Sequence, residues 1–301
     1  MQALYAYFQH EKGNVAHFEK ELFKSLDKIH DLYLSILALV CDLHHVALQV
    51  MDENKNKHRP NAEDLDPNLK FINNTLLMSL TNNAALKDQI ERKKISWQND
   101  FDVVRKLFIE IRGSEAYINY LALENPGVNE DRDFILEVIT EYLSENEVLI
   151  SLFEEKNMHW ADDTFVAFNS VIRNLEDFKG DFVMQPLLKD EKDDLDFMSL
   201  LFNKTILYHQ QFKEMIDKHT QNWEIERIAN MDLLLMEMAL AEILYIPNVP
   251  VKASLNEYID ISKEYSTPNS KTFVNGVLDK IIAELKRDNK INKTGRGLKE
   301  N

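Results

Sequence analysis

Cysteine, glycine and proline are all scarce in this sequence. The single cysteine, Cys41, excludes an intramolecular disulfide framework. Seven glycines and seven prolines among 301 residues are few, because all-β and α/β proteins need many turn residues and glycines at strand–helix junctions. The scarcity predicts an all-α protein with long helices and few loops.

Segments typical of membrane proteins, exported proteins and enzymes are also missing. The sequence has no apolar run that approaches 18 residues and no basic segment followed by an apolar stretch at its N-terminus. It has no Gly-rich phosphate loop, nucleophile elbow or zinc-protease motif. We therefore expect a cytoplasmic protein that is not an enzyme and has no cofactor and no membrane contact.

One cluster, formed by Cys41, Asp42, His44 and His45, contains residue types that bind metals. A structural zinc site needs about four ligands, and no second Cys/His pair is evident. The Glu-x-x-His pairs of a di-iron helical bundle are also absent. We therefore predict no metal site.

Basic residues are outnumbered by acidic residues, 35 to 51, which gives a net charge of −16. An acidic surface repels nucleic acid, so RNA binding would depend on a local basic patch. Residues 128–199 hold six basic and nineteen acidic residues, whereas residues 286–301 hold six basic and two acidic residues. The C-terminal third is therefore the better candidate for an RNA surface.

Apolar residues recur at helical spacing through most of the chain. The stretch 228–245 predicts a helix buried on most sides, and residues 251–265 predict an amphipathic helix. A last helix is predicted to start with Thr267 as its cap and Pro268 in its first turn. Gly276 inside that helix costs about 1 kcal/mol relative to alanine, which predicts close packing against another helix. The apolar stripe of the last helix is Phe273, Val274, Val277, Leu278, Ile281, Ile282 and Leu285.

Two segments share a pattern at an offset of 63 residues. Phe134 and Phe197 each end an Asp-x-Asp-Phe phrase, and Trp160 and Trp223 each follow 26 residues later. Either the chain contains a degenerate internal duplication, or helical stripes align here by chance. The other aligned pairs are Ile139 with Phe202, Leu143 with Ile206, Phe165 with Ile228, and Ile172 with Leu235.

Four phrases carry a resemblance to a known family. Residues 227–233 read RIANMDL, residues 249–257 read VPVKASLNE, residues 273–280 read FVNGVLDK, and residues 2–5 read QALY. The first three phrases, in this order, and QALY at the other end of the chain resemble the NusB family of transcription antitermination factors. The phrase FVNGVLDK is close to a signature of that family. The resemblance covers about residues 190–287 and the first helix.

The resemblance implies a fold, a function and partners. The fold is all-α, with two packed helical bundles. The function is transcription antitermination, in which the protein binds single-stranded boxA RNA of ribosomal RNA operons together with a small-subunit ribosomal protein. The complex then joins NusA, NusG and the RNA polymerase elongation complex.

The sequence departs from the family in two ways. An arginine-rich stretch precedes QALY in the family. Either in-frame arginine codons upstream of Met1 would restore it, which we expect, or this protein has lost part of its RNA contact. The chain is also longer than the family core requires. We predict the first core helix at residues 1–10, a helical insertion at 11–189, the NusB-like core at 190–287 and a basic flexible tail at 288–301.

The resemblance and the chemistry of individual residues together give candidate RNA contacts. Tyr5 matches a family tyrosine that can stack on a base, although packing on the core is the alternative. Lys271 follows a helix N-terminus that offers backbone N–H groups to phosphate, although capping alone explains Asn269 and Ser270. The predicted RNA-binding residues are Gln2, Tyr5, Asn269, Ser270, Lys271, Phe273 and Asn275.

Asp232 and Glu242 match acidic positions of the family core and are the predicted partner-binding residues. Asp232 lies in an apolar stretch, where an unpaired charge is costly. It either pairs inside the protein or faces a basic partner such as the ribosomal protein.

Two other functions remain open. NusB-like domains also precede some rRNA methyltransferase domains, but this chain reaches Asn301 without a Gly-rich cofactor loop. The second alternative is a protein-interaction helical scaffold with weak or lost RNA binding, which the acidic middle of the chain favours.

Overall fold

The computed structural model describes residues 1–10, 13–157, 160–186, 188–220 and 228–299. The chain is 75% helical, and the described residues contain no strand, so the predicted all-α fold is confirmed. The α-helices are α1 Gln2–Gln9, α2 Val15–Lys55, α3 Ala62–Leu65, α4 Thr75–Asn82, α5 Ala84–Arg92, α6 Phe101–Arg112, α7 Glu115–Ala122, α8 Val128–Glu137, α9 Glu147–Lys156, α10 Thr164–Glu176, α11 Glu191–Leu207, α12 His209–His219, α13 Asn230–Tyr245, α14 Val251–Tyr265 and α15 Ser270–Arg287.

The chain forms two compact units. The first unit contains Met1–Phe23 and Leu188–Asn301, and the second contains Lys24–Leu187. Helix α2 therefore begins in the first unit and continues in the second.

Helix α13 is the centre of the first unit, where it contacts α1, α11, α12, α14 and α15. Eleven of its 16 residues are buried, which confirms the prediction of a helix buried on most sides. It ends at Tyr245, and α14 covers Val251–Tyr265 as the amphipathic pattern predicts.

The start of α15 differs from the sequence prediction. The backbone N–H of Ser270 donates to the carbonyl oxygen of Thr267 at 2.9 Å, and the backbone N–H of Thr267 donates to Ser270 Oγ at 3.1 Å. These bonds close a turn ahead of the helix, so the N-cap is Asn269 and the prediction of Thr267 as the cap is wrong.

Gly276 also differs from its prediction. It is exposed, and a Cβ atom placed there would meet no atom within 4 Å beyond its own stretch of helix. The prediction that Gly276 packs closely against another helix is therefore wrong.

Residues 288–299, predicted as part of a flexible tail, lie against the loop between α13 and α14. The backbone N–H of Thr294 donates to the carbonyl oxygen of Pro247 at 3.0 Å. A short 3₁₀ helix, Gly295–Leu298, follows, and Gly297 in it is buried.

Buried aromatic residues anchor the core of the second unit. The indole N–H of Trp97 donates to the carbonyl oxygen of Ser35 at 3.0 Å, and that of Trp160 donates to the carbonyl oxygen of Lys28 at 2.7 Å. Both bonds fix rings against α2, whose residues from Leu32 onwards form much of this core.

Polar side chains cap the starts of several short helices in the second unit. Asn61, Asn74, Asn83, Ser114 and Asn146 each accept a hydrogen bond from a backbone N–H in the first turn of the following helix. Each cap contributes about 1 kcal/mol by pairing an N–H group that would otherwise lack a partner.

Helix α2 contains a window that is long and apolar enough, by composition alone, to cross a membrane. In the structure 61% of this window is buried inside the protein. A central helix of a packed helical core has the same composition, so the window is accounted for by the core of the second unit.

The two segments related by the 63-residue offset differ in part. Phe165 is 76% exposed, whereas Ile228, its aligned partner, is 9% exposed. Trp223, which completes the second copy of the pattern, lies outside the described residues, as does Arg227 of the RIANMDL phrase. Internal duplication therefore remains a hypothesis.

Candidate nucleic-acid interface

The turn between α14 and α15 is built around the side chain of Ser270. Ser270 is 1% exposed, and its hydroxyl donates to Asp232 Oδ2 at 2.7 Å while it lies 3.0 Å from the hydroxyl of Ser266. The bond to Asp232 joins the start of α15 to the first turn of α13. Ser270 therefore positions the candidate interface but presents almost no surface to a ligand.

Lys271 and Asn275 meet in one surface groove between α14 and α15. They are four residues apart and therefore lie on the same helical face. Asn256 and Lys263 of α14 line the opposite wall. Lys263 pairs with Asp260, the carboxylate among the groove's described lining residues. Two ammonium groups and one carboxylate give the groove a weak positive charge.

Asn269 and Phe273 flank this groove without lining it. Asn269 is exposed, and its side chain makes no capping hydrogen bond to α15. Phe273 is partly buried and packs against the core of the first unit. Asn269 is thus accessible to a ligand, and Phe273 combines a core role with partial exposure.

Gln2 and Tyr5 are both exposed on α1. Leu4, which is 2% exposed, fixes α1 on the core, and the Tyr5 ring remains 39% exposed. Helix α1 contacts α13, and neither Gln2 nor Tyr5 is among the residues that line the groove between α14 and α15. All seven candidates belong to the first unit, but the groove brings together just Lys271 and Asn275.

Asp232 and Glu242 both pair inside the first unit. They are 5% and 6% exposed, and Glu242 Oε2 accepts a hydrogen bond from the hydroxyl of Tyr258 at 2.8 Å. Burial, followed by the neighbouring Glu242 carboxylate, raises the pKa of Tyr258 well above its ordinary value. This geometry matches the internal-pairing alternative for Asp232, and burial leaves little of either carboxylate for a partner to contact.

The C-terminal end of α13 is capped by Lys293. The Lys293 ammonium donates to the carbonyl oxygens of Ile246 at 2.8 Å and Glu242 at 3.3 Å. Burial lowers the pKa of Lys293 to about 8. A cation at a helix C-terminus interacts favourably with the helix dipole, so Lys293 connects the C-terminal segment to α13.

Two groove residues, Asn256 and Lys263, were not among the sequence candidates. They are seven residues apart on α14, which places them on the same helical face two turns apart. That spacing is visible in the sequence. It indicates a shared groove only when α14 is known to lie beside α15.

The metal-ligand residue types near Cys41 serve other purposes in the second unit. His45 Nδ1 lies 3.0 Å from Asp42 Oδ1, His44 Nε2 lies 2.8 Å from the carbonyl oxygen of Ile72, and burial raises the pKa of Cys41 to about 12. No group of three or more His, Cys, Asp or Glu side chains suited to a metal ion occurs in the part of the chain that the structure describes.

The fold and the groove define an all-helical protein with a polar, weakly basic surface groove on its first unit. The sequence model of the NusB family matches residues 164–283. A transcription antitermination protein NusB of Salinibacter ruber is 47% identical over 111 residues, which cover 37% of this chain and 69% of that protein. This chain therefore belongs to the NusB family.

Two further relatives carry the same name. The protein of Chloroherpeton thalassium is 46% identical over 103 residues, which cover 34% of this chain and 49% of that protein. The protein of Natranaerobius thermophilus is 28% identical over 108 residues, which cover 34% of this chain and 78% of that protein. No solved structure matches the chain.

Proposed function

We propose that this protein is an RNA-binding transcription antitermination factor. It holds single-stranded boxA-type RNA of ribosomal RNA operons jointly with a small-subunit ribosomal protein. It then joins the RNA polymerase elongation complex with NusA and NusG in the cytoplasm, and it acts by binding rather than by catalysis. The named function of the relatives supports the coarse assignment.

The groove between α14 and α15 is the observation that carries the RNA proposal. Lys271 and Lys263 supply cations, and Asn256 and Asn275 supply amide groups that can hydrogen-bond base edges. Single-stranded RNA is recognised by such contacts together with stacking on aromatic rings. The exposed Tyr5 and the partly buried Phe273 are the proposed stacking residues.

We propose an indirect role for Asp232 and Glu242 in partner binding. Their carboxylates hold the start of α15 and the middle of α14 against α13 through Ser270 and Tyr258. The ribosomal protein would then contact surfaces whose positions these bonds determine.

A filter-binding titration with boxA-type RNA tests the proposal. Binding is expected to weaken as salt rises, because each contact with a phosphate releases counterions. The logarithm of the binding constant should fall with the logarithm of the salt concentration, with a slope of about 0.7 per contact for single strands. Addition of the small-subunit ribosomal protein is expected to tighten binding. A scrambled RNA of equal length is the control.

Absent or salt-independent binding, with the partner present, would contradict the RNA proposal. In that case, a complex with the ribosomal protein alone would favour the scaffold alternative. Size-exclusion chromatography of the two proteins without RNA distinguishes that outcome.

A further inference from the structure

The C-terminal segment is held in a defined position on the first unit. Its Thr294 N–H donates a hydrogen bond to the Pro247 carbonyl oxygen. At Gly297, an added Cβ atom would lie 2.0 Å from the same oxygen. That separation is far inside van der Waals contact, so the close approach requires glycine. The ammonium of Lys293 adds its bonds to the end of α13.

The segment forms one wall of a cleft of about 980 Å³. The start of α14 and the end of α15 form the other walls. Lys252, Lys286 and Lys299 line this cleft and are exposed, while Asp279 is the carboxylate among the described lining residues. Lys293 also lines the cleft, but its ammonium is directed to the carbonyl oxygens of α13.

This basic cleft is more positive than the groove between α14 and α15. Lysines outnumber carboxylates among the described residues that line this cleft, on a chain whose net charge is −16. Lys252 and Lys299 also line a neighbouring cleft, which contains Asp193, Asp194 and Asp196. Phosphate groups are the anions that fit a lysine-rimmed surface without a demand for fixed geometry.

We propose that the basic cleft binds backbone phosphates of the same RNA that occupies the groove at Lys271. This inference rests on the proposed function. Both sites lie along α14 and α15, and Lys271 and Lys286 are 15 residues apart on α15, a separation of about 22 Å at 1.5 Å per residue. A strand at the stacked spacing of 3.4 Å covers this distance with about seven nucleotides.

The cleft also contains apolar residues beneath its lysines. Val251, Leu255 and Ile282 contribute to its lining. An apolar floor and a cationic rim suit a nucleotide, whose sugar and base can rest on the floor while the phosphate meets the lysines. Continuity with the groove along the same two helices favours RNA over an acidic peptide.

The family match ends at residue 283, whereas Lys286, Lys299 and the whole C-terminal segment lie beyond it. The cleft therefore depends on residues outside the matched family core. Its contribution to RNA binding would be a property of this chain in addition to the contacts of that core.

The test compares a short boxA-type RNA with the same RNA extended by about eight nucleotides at either end. The wild-type full chain is expected to bind one of the extended RNAs more tightly than the short RNA. The triple variant Lys252→Gln, Lys286→Gln, Lys299→Gln should lose on the order of 10- to 100-fold in affinity for that extended RNA at 0.1 M salt, with a salt slope lower by about 2. Binding of the short RNA should change little.

A second variant, Gly297→Ala, keeps every charge but displaces the wall of the cleft. It is expected to show the same selective loss for the extended RNA. The matched control carries three exposed lysines of the second unit changed to glutamine, Lys55→Gln, Lys87→Gln and Lys179→Gln. This control alters net charge equally and should bind both RNAs as the wild type does.

Each outcome separates the cleft from the general function. If the wild type binds neither RNA, the proposed function itself fails. If the wild type binds both RNAs and the triple variant retains wild-type affinity and salt slope, the cleft proposal alone is overturned. A glutamate-rich peptide that binds the wild type but not the triple variant, with RNA binding unchanged, would also overturn it in favour of an acidic protein partner.

Discussion

Replacement of Gly276 by alanine should stabilise this protein. Gly276 lies in the interior of α15, exposed, with open space where a Cβ atom would be placed. Its φ is not in the left-handed region that favours glycine. Alanine therefore fits the native backbone without strain and removes conformational freedom from the unfolded chain.

The size of the effect follows from helix propensity. Glycine is about 0.8–1.0 kcal/mol less favourable than alanine in a helix interior. We therefore expect Gly276→Ala to raise the free energy of unfolding by about 1 kcal/mol. With an unfolding entropy of about 2.1 cal/mol/K per residue, such a change raises the Tm of a 301-residue chain by about 2 °C.

Urea unfolding followed by circular dichroism, together with thermal melts, measures the change. Gly297→Ala is the matched control with the opposite sign, because its new Cβ would collide with the Pro247 carbonyl oxygen at 2.0 Å. Loss of the bond that the Thr294 N–H makes to Pro247 then costs about 1 kcal/mol. A destabilised Gly276→Ala variant would refute the reasoning and indicate a close neighbour of this helical face.

The same variant also bears on the interface. Gly276 follows Asn275, which lines the groove. If RNA lies close to this face, the added methyl group should weaken RNA binding while it raises stability. Opposite signs in the two measurements would separate a contact effect from a folding effect.

Three further predictions concern the first unit. Ser270→Ala should lower the free energy of unfolding by about 2 kcal/mol, because buried Asp232 then loses its charged hydrogen bond; urea unfolding measures this, and Asp232→Asn in the same background should recover part of the loss. Lys271→Gln should weaken binding of all RNAs similarly and lower the salt slope by about 0.7, which filter binding can show or contradict. Burial raises the pKa of Glu237 above its ordinary value, so the folded state keeps this proton to a higher pH than the unfolded state does. The free energy of unfolding of the wild type should therefore fall as pH rises from the ordinary pKa of glutamate through the raised one. Stability curves between about pH 4 and pH 7 should show Glu237→Gln gaining on the wild type as pH rises, and parallel curves would contradict the assignment.

Most of the helical pattern could be predicted because it depends on local spacing. The apolar residues of α13 and the amphipathic spacing in α14 indicate which faces are buried. This inference does not require knowledge of the helices that pack against them. The start of α15 was missed because Ser270 bonds to Asp232, 38 residues earlier in the chain. A contact of that length competes with the local Thr-Pro signal and is invisible in the sequence.

The candidate site was predictable in part for the same reason. A helix N-terminus with Lys271 and Asn275 on one face can be recognised locally. Asn256 and Lys263 line the same groove because α14 lies beside α15. The residue spacing within either helix does not specify that arrangement. The position of the C-terminal segment depends on the close contact between Gly297 and Pro247, which are 50 residues apart in the sequence.

A net charge of −16 does not by itself prevent RNA binding. At physiological ionic strength, charges are screened over about 8 Å, so a phosphate responds mainly to the side chains nearest to it. The lysines at the two ends of α15 lie about 22 Å apart, which is beyond that distance, and each site therefore acts as a separate electrostatic contact. The acidic surface elsewhere then opposes binding along the rest of the RNA. We therefore expect the salt dependence of RNA affinity to reflect the number of these local phosphate contacts and not the net charge of the protein.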